Sequence, residues 1–189
     1  MTAVFLLVGA AWVFSVRRMT GMGMGSGLGS LWFFGVTWTA MMLPSALPAA
    51  RGLDGRAPLA FAVSYITVWG LVGFAAFAAY RGIHAAAAEV VVVAALYELT
   101  PLKRRCLARC RNGVGSETNG FAAAARYGMH CLGCSAGLML VLLALGAMSV
   151  TWMLLVAAVV FVEKVPRFGA SLVEPVALLL AGVGATLMM

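Results

Sequence analysis

Four cysteines form two closely spaced pairs in the sequence. Cys106 and Cys110 stand four residues apart, and Cys131 and Cys134 stand three residues apart. If each segment is helical, both spacings bring the two thiols of a pair onto one face of the helix. Two such pairs could close on one metal ion, because thiolate sulfur is a ligand that zinc and Cu(I) both favour. His130, directly before the second pair, is a further candidate ligand.

The chemistry around the pairs leaves two interpretations open. Basic residues surround the first pair, and they favour the thiolate, which is the form that binds metal. Alternatively, all four cysteines are reduced and serve as small apolar side chains, which a cytoplasmic placement permits. Their clustering near one predicted membrane face favours metal binding. A haem-attachment motif is absent, because that motif needs the histidine after the cysteines.

Methionines supply a second set of soft ligands in two places. A glycine-rich segment ahead of the second apolar run holds Met19, Met22 and Met24. The second apolar run carries Met41 and Met42 near its middle, beside Pro44, whose ring removes one helical hydrogen bond. Thioether sulfur favours Cu(I) over harder ions. The alternative is that these methionines rest on the bilayer surface or face lipid.

These residues lie in a chain that is too apolar for a water-soluble fold. Of the 189 residues, 63% are hydrophobic and 10% are charged, and the mean hydropathy is +1.02. Soluble domains are about one quarter charged. We therefore predict an all-α fold: a single integral membrane domain over residues 1–189, a polytopic transmembrane helical bundle of about six or seven spans in contact with the lipid bilayer.

The apolar runs set the predicted spans, at about 2–16, 31–50, 59–80, 84–99, 129–147, 150–163 and 172–189. The stretch 132–162 has no charge, and as one helix it would be about 46 Å long against a hydrocarbon core of about 30 Å. A tight hairpin near Gly146 to Thr151 gives seven spans. A single long tilted helix is the alternative.

Basic residues predict the orientation of the bundle. Ten of the 13 lysines and arginines follow the second, fourth and sixth spans, which puts the N-terminus in the cytoplasm. Arg17 and Arg18 oppose this orientation. It makes 17–30 a Met/Gly-rich extracytoplasmic loop and 100–126 a basic cytoplasmic loop with Cys106 and Cys110. Because the basic residues stand at span ends, the net charge of +7 reflects topology, and we exclude nucleic acid as a partner.

Charged residues inside or beside the apolar runs are few. Glu98 lies at the inner end of the fourth run, and Glu163 and Lys164 end the sixth. An intramembrane carboxylate is a candidate proton acceptor or metal ligand. We favour instead an ion pair of Glu98 with Lys103, or with an arginine, at the membrane interface.

Three motifs in order resemble a known family. They are Met41-Met42-Leu-Pro44-Ser45-Ala-Leu-Pro48, then Tyr97-Glu-Leu-Thr-Pro101-Leu-Lys103 leading into the first cysteine pair, then Cys131-Leu-Gly-Cys134 with Gly137-Leu-Met139. With the closing Glu163-Lys164, they resemble the bacterial family of predicted metal-binding integral membrane proteins over about residues 20–167. The resemblance implies a multi-pass protein of the bacterial cytoplasmic (inner) membrane with a metal site, and no established activity.

The chain departs from this family's pattern near the second cysteine pair. Ser135 and Ala136 stand where a further cysteine and a tryptophan are common, and Glu98 replaces a glutamine. Tyr127 stands where the family has a histidine, while His130 directly precedes the pair. The ligand set that the resemblance implies is therefore altered here.

The leading functional hypothesis is an integral membrane protein that binds a soft metal, copper with zinc as the alternative. It would move the metal inward or deliver it to a copper-dependent membrane enzyme. Methionines outside, methionines within the membrane and cysteines inside form a ligand gradient suited to Cu(I). No ATP-binding loop motif occurs, so transport would be passive or coupled to another gradient.

A second hypothesis is a small accessory or structural subunit of a larger membrane protein complex, with no metal chemistry of its own. Gly133 and Gly137 have the spacing that allows close helix packing in lipid. An enzyme is the least favoured class. No serine, histidine and aspartate arrangement stands out, and two histidines cannot build a three-histidine catalytic site.

Overall fold

The computed structural model describes residues 28–46, 57–113, 120–146, 149–165 and 168–189, with four isolated positions before residue 28. The described residues are almost entirely helical and include no strand, which confirms the all-α prediction. Met19, Met22 and Met24 lie outside the described residues, as do most of the predicted first span and most of the segment 17–30.

Seven α-helices and one short 3-10 helix follow one another along the described chain. They are α1 (Leu28–Ala46), α2 (Ala57–Ala85), α3 (Ala87–Glu98), α4 (Pro101–Arg111), α5 (Gly120–Leu145), α6 (Val150–Lys164), the 3-10 helix Gly169–Leu172 and α7 (Val173–Met188).

The uncharged stretch 132–162 is two helices. Helix α5 ends at Leu145, and Gly146 adopts a φ of +145°, a conformation that glycine reaches without steric penalty. Ser149 then caps α6 by accepting a hydrogen bond from the backbone of Trp152. The break predicted near Gly146 is present, and the single long helix is not.

The predicted basic loop 100–126 contains a helix. The Thr100 side chain accepts a hydrogen bond from the backbone of Lys103, and Pro101 occupies the first helical position, where its missing N–H costs nothing. Leu107 and Cys110 are buried, whereas most of the basic side chains on this helix are exposed. Helix α4 is therefore amphipathic, and it fixes the first cysteine pair more firmly than a loop would.

Helix α5 lies at the centre of the bundle. It packs against α2, α3, α4 and α6, while α1 packs on α2 and α7 packs on α3. The main hydrophobic core runs through the contacts of α1, α2, α4, α5 and α6. Side chains from these five helices consequently meet around the cysteine-bearing turn of α5.

Three helices of the described chain are long and apolar enough to cross a membrane, within Pro58–Tyr80, Phe121–Leu145 and Gly169–Met188. This is fewer than the six or seven spans predicted. The apolar runs 84–99 and 150–163 form α3 and α6, which have 12 and 15 residues. A helix needs about 20 residues to cross the hydrocarbon core, so the breaks at Ala86 and Gly146 make both helices short for a full span.

Candidate metal centre

Three of the four cysteines meet in the interior. Cys131 and Cys134 lie one turn apart on α5, and Cys110 lies on α4. Their exposed fractions are 0%, 1% and 5%. The Cys134 thiol donates to Cys110 Sγ at 3.6 Å and contacts the carbonyl of Cys131 at 3.2 Å. The Cys131 thiol is close enough to the other two to interact electrostatically with both.

Met42 of α1 joins these thiols through Lys164, the last residue of α6. Lys164 Nζ lies 2.9 Å from Cys131 Sγ and 4.0 Å from Met42 Sδ, and Met42 is fully buried. We refer to Cys110, Cys131, Cys134 and Met42 as the sulfur cluster. It brings soft donors of three helices, α1, α4 and α5, into the same buried region.

Tyrosines from two helices fix the geometry of this cluster. The Tyr65 hydroxyl lies 3.1 Å from Cys131 Sγ and donates to the carbonyl of Met42 at 3.2 Å. The Tyr127 hydroxyl donates to the carbonyl of Ser45 at 3.3 Å. Tyr65 and Tyr127 pack with their ring centroids 6.0 Å apart, and both are buried. These contacts anchor the end of α1 and wall the sulfurs off from solvent.

The remaining sequence candidates lie beside the sulfur cluster. Cys106 is half-buried and packs on Gly133, where a methyl group would lie 2.7 Å from its sulfur. His130 has Arg109 and Arg126 as its charged neighbours, which places it towards the basic surface. Met41 is buried in the core, but the methionine sulfur that faces Lys164 is that of Met42.

A second buried cluster adjoins the first. Lys103 Nζ lies 2.9 and 3.1 Å from the two carboxylate oxygens of Glu163 and forms an ion pair with Glu98. We refer to Glu98, Lys103 and Glu163 as the charge cluster. The ion pair predicted between Glu98 and Lys103 forms, and both side chains have an exposed fraction of 0%, so the pair is buried inside the protein.

Two inward-facing side chains of α4, Lys103 and Cys110, have pKa values shifted in opposite directions. Burial lowers the pKa of Lys103, and the nearby Glu163 carboxylate opposes that shift. The pKa of the Cys110 thiol is raised, first by hydrogen bonds with Cys131 and Cys134 and then by burial. The Cys110 thiol is therefore protonated without metal, and a metal that binds it must displace a proton.

Sequence reasoning missed two members of this site. Lys164 had a detectable signal, because a charged residue ending an apolar run is a default functional candidate. Tyr65 had none, because it is one aromatic residue in an apolar run, and only the packing of α2 on α5 brings it to Cys131.

The donor set suits Cu(I) better than zinc. Among the residues that the structure describes, no group of three or more histidine, cysteine, aspartate and glutamate side chains is arranged to hold a metal ion. The three thiols of the sulfur cluster are therefore close together in the described structure without forming a ready-made site for any metal ion. The buried thioether of Met42, linked to the thiols through Lys164, is a donor that favours Cu(I) over harder ions.

Comparison with known protein families also points to copper. No curated protein and no solved structure matches the chain. One family model does, over residues 31–187, and its description is PpoB2, copper chaperone. The match spans both cysteine pairs, Met42 and Lys164. Since it covers most of the sequence, the chain belongs to the PpoB2 family of copper chaperones.

Proposed function

We propose that this protein is an integral membrane copper chaperone that holds Cu(I) in the sulfur cluster and delivers it to a copper-dependent membrane enzyme. The observation that carries the proposal is the proximity of three buried thiols, with a buried thioether linked to them through Lys164. Soft sulfur donors favour Cu(I), and burial protects the cuprous ion and the thiols from solvent oxidants. Membership of a copper chaperone family supports the same cargo.

In this proposal the four cysteines have different roles. Cys110, Cys131 and Cys134 hold the ion, and Met42 adds a weaker thioether ligand. Cys106 stands one helical turn before Cys110 and is half-buried, which suits it to receive or release the ion at the surface. His130 and Met41 support the site from outside the set of ligands.

The apolar helices support a membrane location, and the distribution of lysine and arginine along the sequence supports an N-terminus in the cytoplasm. Three helices have the length and apolarity of membrane spans, and the cysteines of α5 lie within one of them. We propose that at least these three helices span the bacterial cytoplasmic membrane, with Met19, Met22 and Met24 capturing copper on the outer side. A cysteine at Ser26 in a cysteine-free background should react with an impermeant maleimide in intact cells. Labelling only after permeabilisation would contradict this orientation.

The decisive experiment measures copper in the full-length protein purified in mild detergent. We expect stoichiometric Cu(I) in the wild type and strongly reduced Cu(I) in the Cys131→Ser/Cys134→Ser variant, by elemental analysis and competition with a chromophoric Cu(I) chelator. The same preparation tests the accessory-subunit hypothesis. A stoichiometric protein partner with no copper in any preparation would contradict the chaperone proposal and favour a structural subunit.

A further inference from the structure

The surroundings of Lys164 differ from those of the other buried lysine. Lys103 is neutralised by two carboxylates. Among the residues that the structure describes, no carboxylate lies within ion-pairing distance of Lys164, although it directly follows Glu163 in the sequence. Its ammonium contacts sulfur instead, 2.9 Å from Cys131 Sγ and 4.0 Å from Met42 Sδ. A full positive charge is therefore held against the metal donors themselves.

We propose that Lys164 is the specificity-determining residue of the sulfur cluster, which makes it accept monovalent copper and reject divalent ions. The inference rests on the proposed copper function. An ammonium beside the donors repels a bound cation, and this repulsion is twice as large for a divalent ion as for a monovalent one. The distance of 2.9 Å between Lys164 Nζ and Cys131 Sγ is short for a hydrogen bond to sulfur, as expected of a contact that a charged ammonium donates.

Geometry adds a second reason. The ammonium has three donor hydrogens and no acceptor, so it cannot itself ligate a metal ion while charged. It contacts the sulfurs of both Cys131 and Met42, so an ion bound by these two donors would lie close to the ammonium. Cu(I) needs fewer sulfur ligands than zinc does. A Cys131 thiolate has lone pairs enough to bind Cu(I) and still accept a hydrogen bond from Lys164.

The test compares two metals in three proteins. Wild type, Lys164→Met and Lys164→Arg, each full-length in detergent, are titrated with Cu(I) and separately with Zn(II) against chromophoric chelators. Co(II) serves as a spectroscopic probe of thiolate coordination. We expect wild type to prefer Cu(I), and Lys164→Met to bind Zn(II) at least tenfold more tightly while its Cu(I) affinity changes less. Lys164→Arg keeps the charge and should keep the preference.

Three outcomes would overturn the inference. They are an unchanged ratio of Zn(II) to Cu(I) affinity in Lys164→Met, the same altered ratio in Lys164→Arg, or a wild type that binds Zn(II) as tightly as Cu(I). The comparison of Zn(II) with Cu(I) in the wild type needs no variant, so a misfolded variant cannot prevent the test. Lys164→Gln provides a second variant with an uncharged side chain. A wild type that binds no Cu(I) would instead contradict the proposed function itself.

Discussion

The sulfur cluster and the charge cluster lie side by side in the same bundle, and they differ in how their buried polar groups are paired. In the charge cluster, Lys103 forms ion pairs with Glu98 and Glu163, so every charge has a partner of opposite sign. In the sulfur cluster, the thiols of Cys110 and Cys134 contact each other, and the nearest charge is the ammonium of Lys164. The first cluster pairs its charged groups with one another, and the second holds soft donors beside a single ammonium.

The difference supports a structural role for the charge cluster and the proposed copper-binding role for the sulfur cluster. A buried ion pair is costly to desolvate and costlier to break, so Lys103 with its two carboxylates locks α3, α4 and α6 together. Two buried carboxylates and two buried lysines also balance one another across both clusters before any thiol ionises. Next to this neutral frame, the sulfur cluster can gain a cuprous ion and lose a thiol proton with little change in net charge.

The largest expected effect comes from breaking the charge cluster. Lys103→Met leaves Glu98 and Glu163 buried without a counter-charge, which should lower the free energy of unfolding by about 3–5 kcal/mol. Arg104→Met is the matched control on the same helix. Its ion pair with Glu174 is 54% and 67% exposed, so its loss should cost less than about 1 kcal/mol.

Thermal unfolding in detergent, followed by circular dichroism, measures both variants. The protein that remains folded in Lys103→Met should still bind Cu(I), because the sulfur ligands are intact. Equal losses of stability in Lys103→Met and Arg104→Met would show that the buried cluster is not the structural element.

The sequence predicted the helical class, the break at Gly146 and the partnership of Glu98 with Lys103, because each follows from local chemistry. It could not separate Cys106 from Cys110. Four residues of spacing put both on one face of a helix, and only the way α4 packs on α5 buries Cys110 and leaves Cys106 half-buried. The sequence singled out Lys164 at the end of an apolar run but could not place it beside the cysteines, because its contacts cross from α6 to α1 and α5.

The next largest effect should fall within the sulfur cluster. Removing even an indirect support of a metal ligand costs about 10–100-fold in affinity, so loss of a direct ligand in Cys131→Ser or Cys134→Ser should cost at least as much. Cys106→Ser should cost less at equilibrium, because Cys106 packs beside the cluster against Gly133. Competition with a Cu(I) chelator gives the affinities. Equal losses of Cu(I) affinity in Cys106→Ser and Cys131→Ser would contradict the different roles proposed for these cysteines. Cys131 would then not bind the ion more strongly than Cys106 does.

The smallest effect, and the sharpest comparison, is between the two adjacent methionines of α1. Met41 and Met42 have exposed fractions of 3% and 0%, so leucine at either position keeps the volume and should cost less than about 1.5 kcal/mol in stability. Only Met42 has its sulfur 4.0 Å from the ammonium that contacts Cys131. Met42→Leu should therefore weaken Cu(I) binding several-fold, and Met41→Leu should leave it at the wild-type value.

Matched unfolding curves for the two leucine variants establish that a difference in Cu(I) affinity is not a difference in folding. X-ray absorption at the copper edge adds a direct readout, because loss of a thioether ligand changes the sulfur coordination while the thiolates remain. If Met42→Leu binds Cu(I) as tightly as Met41→Leu, the thioether only packs against Lys164. The ion would then be held by the thiols of α4 and α5 alone, and α1 would contribute a wall of the site and no ligand.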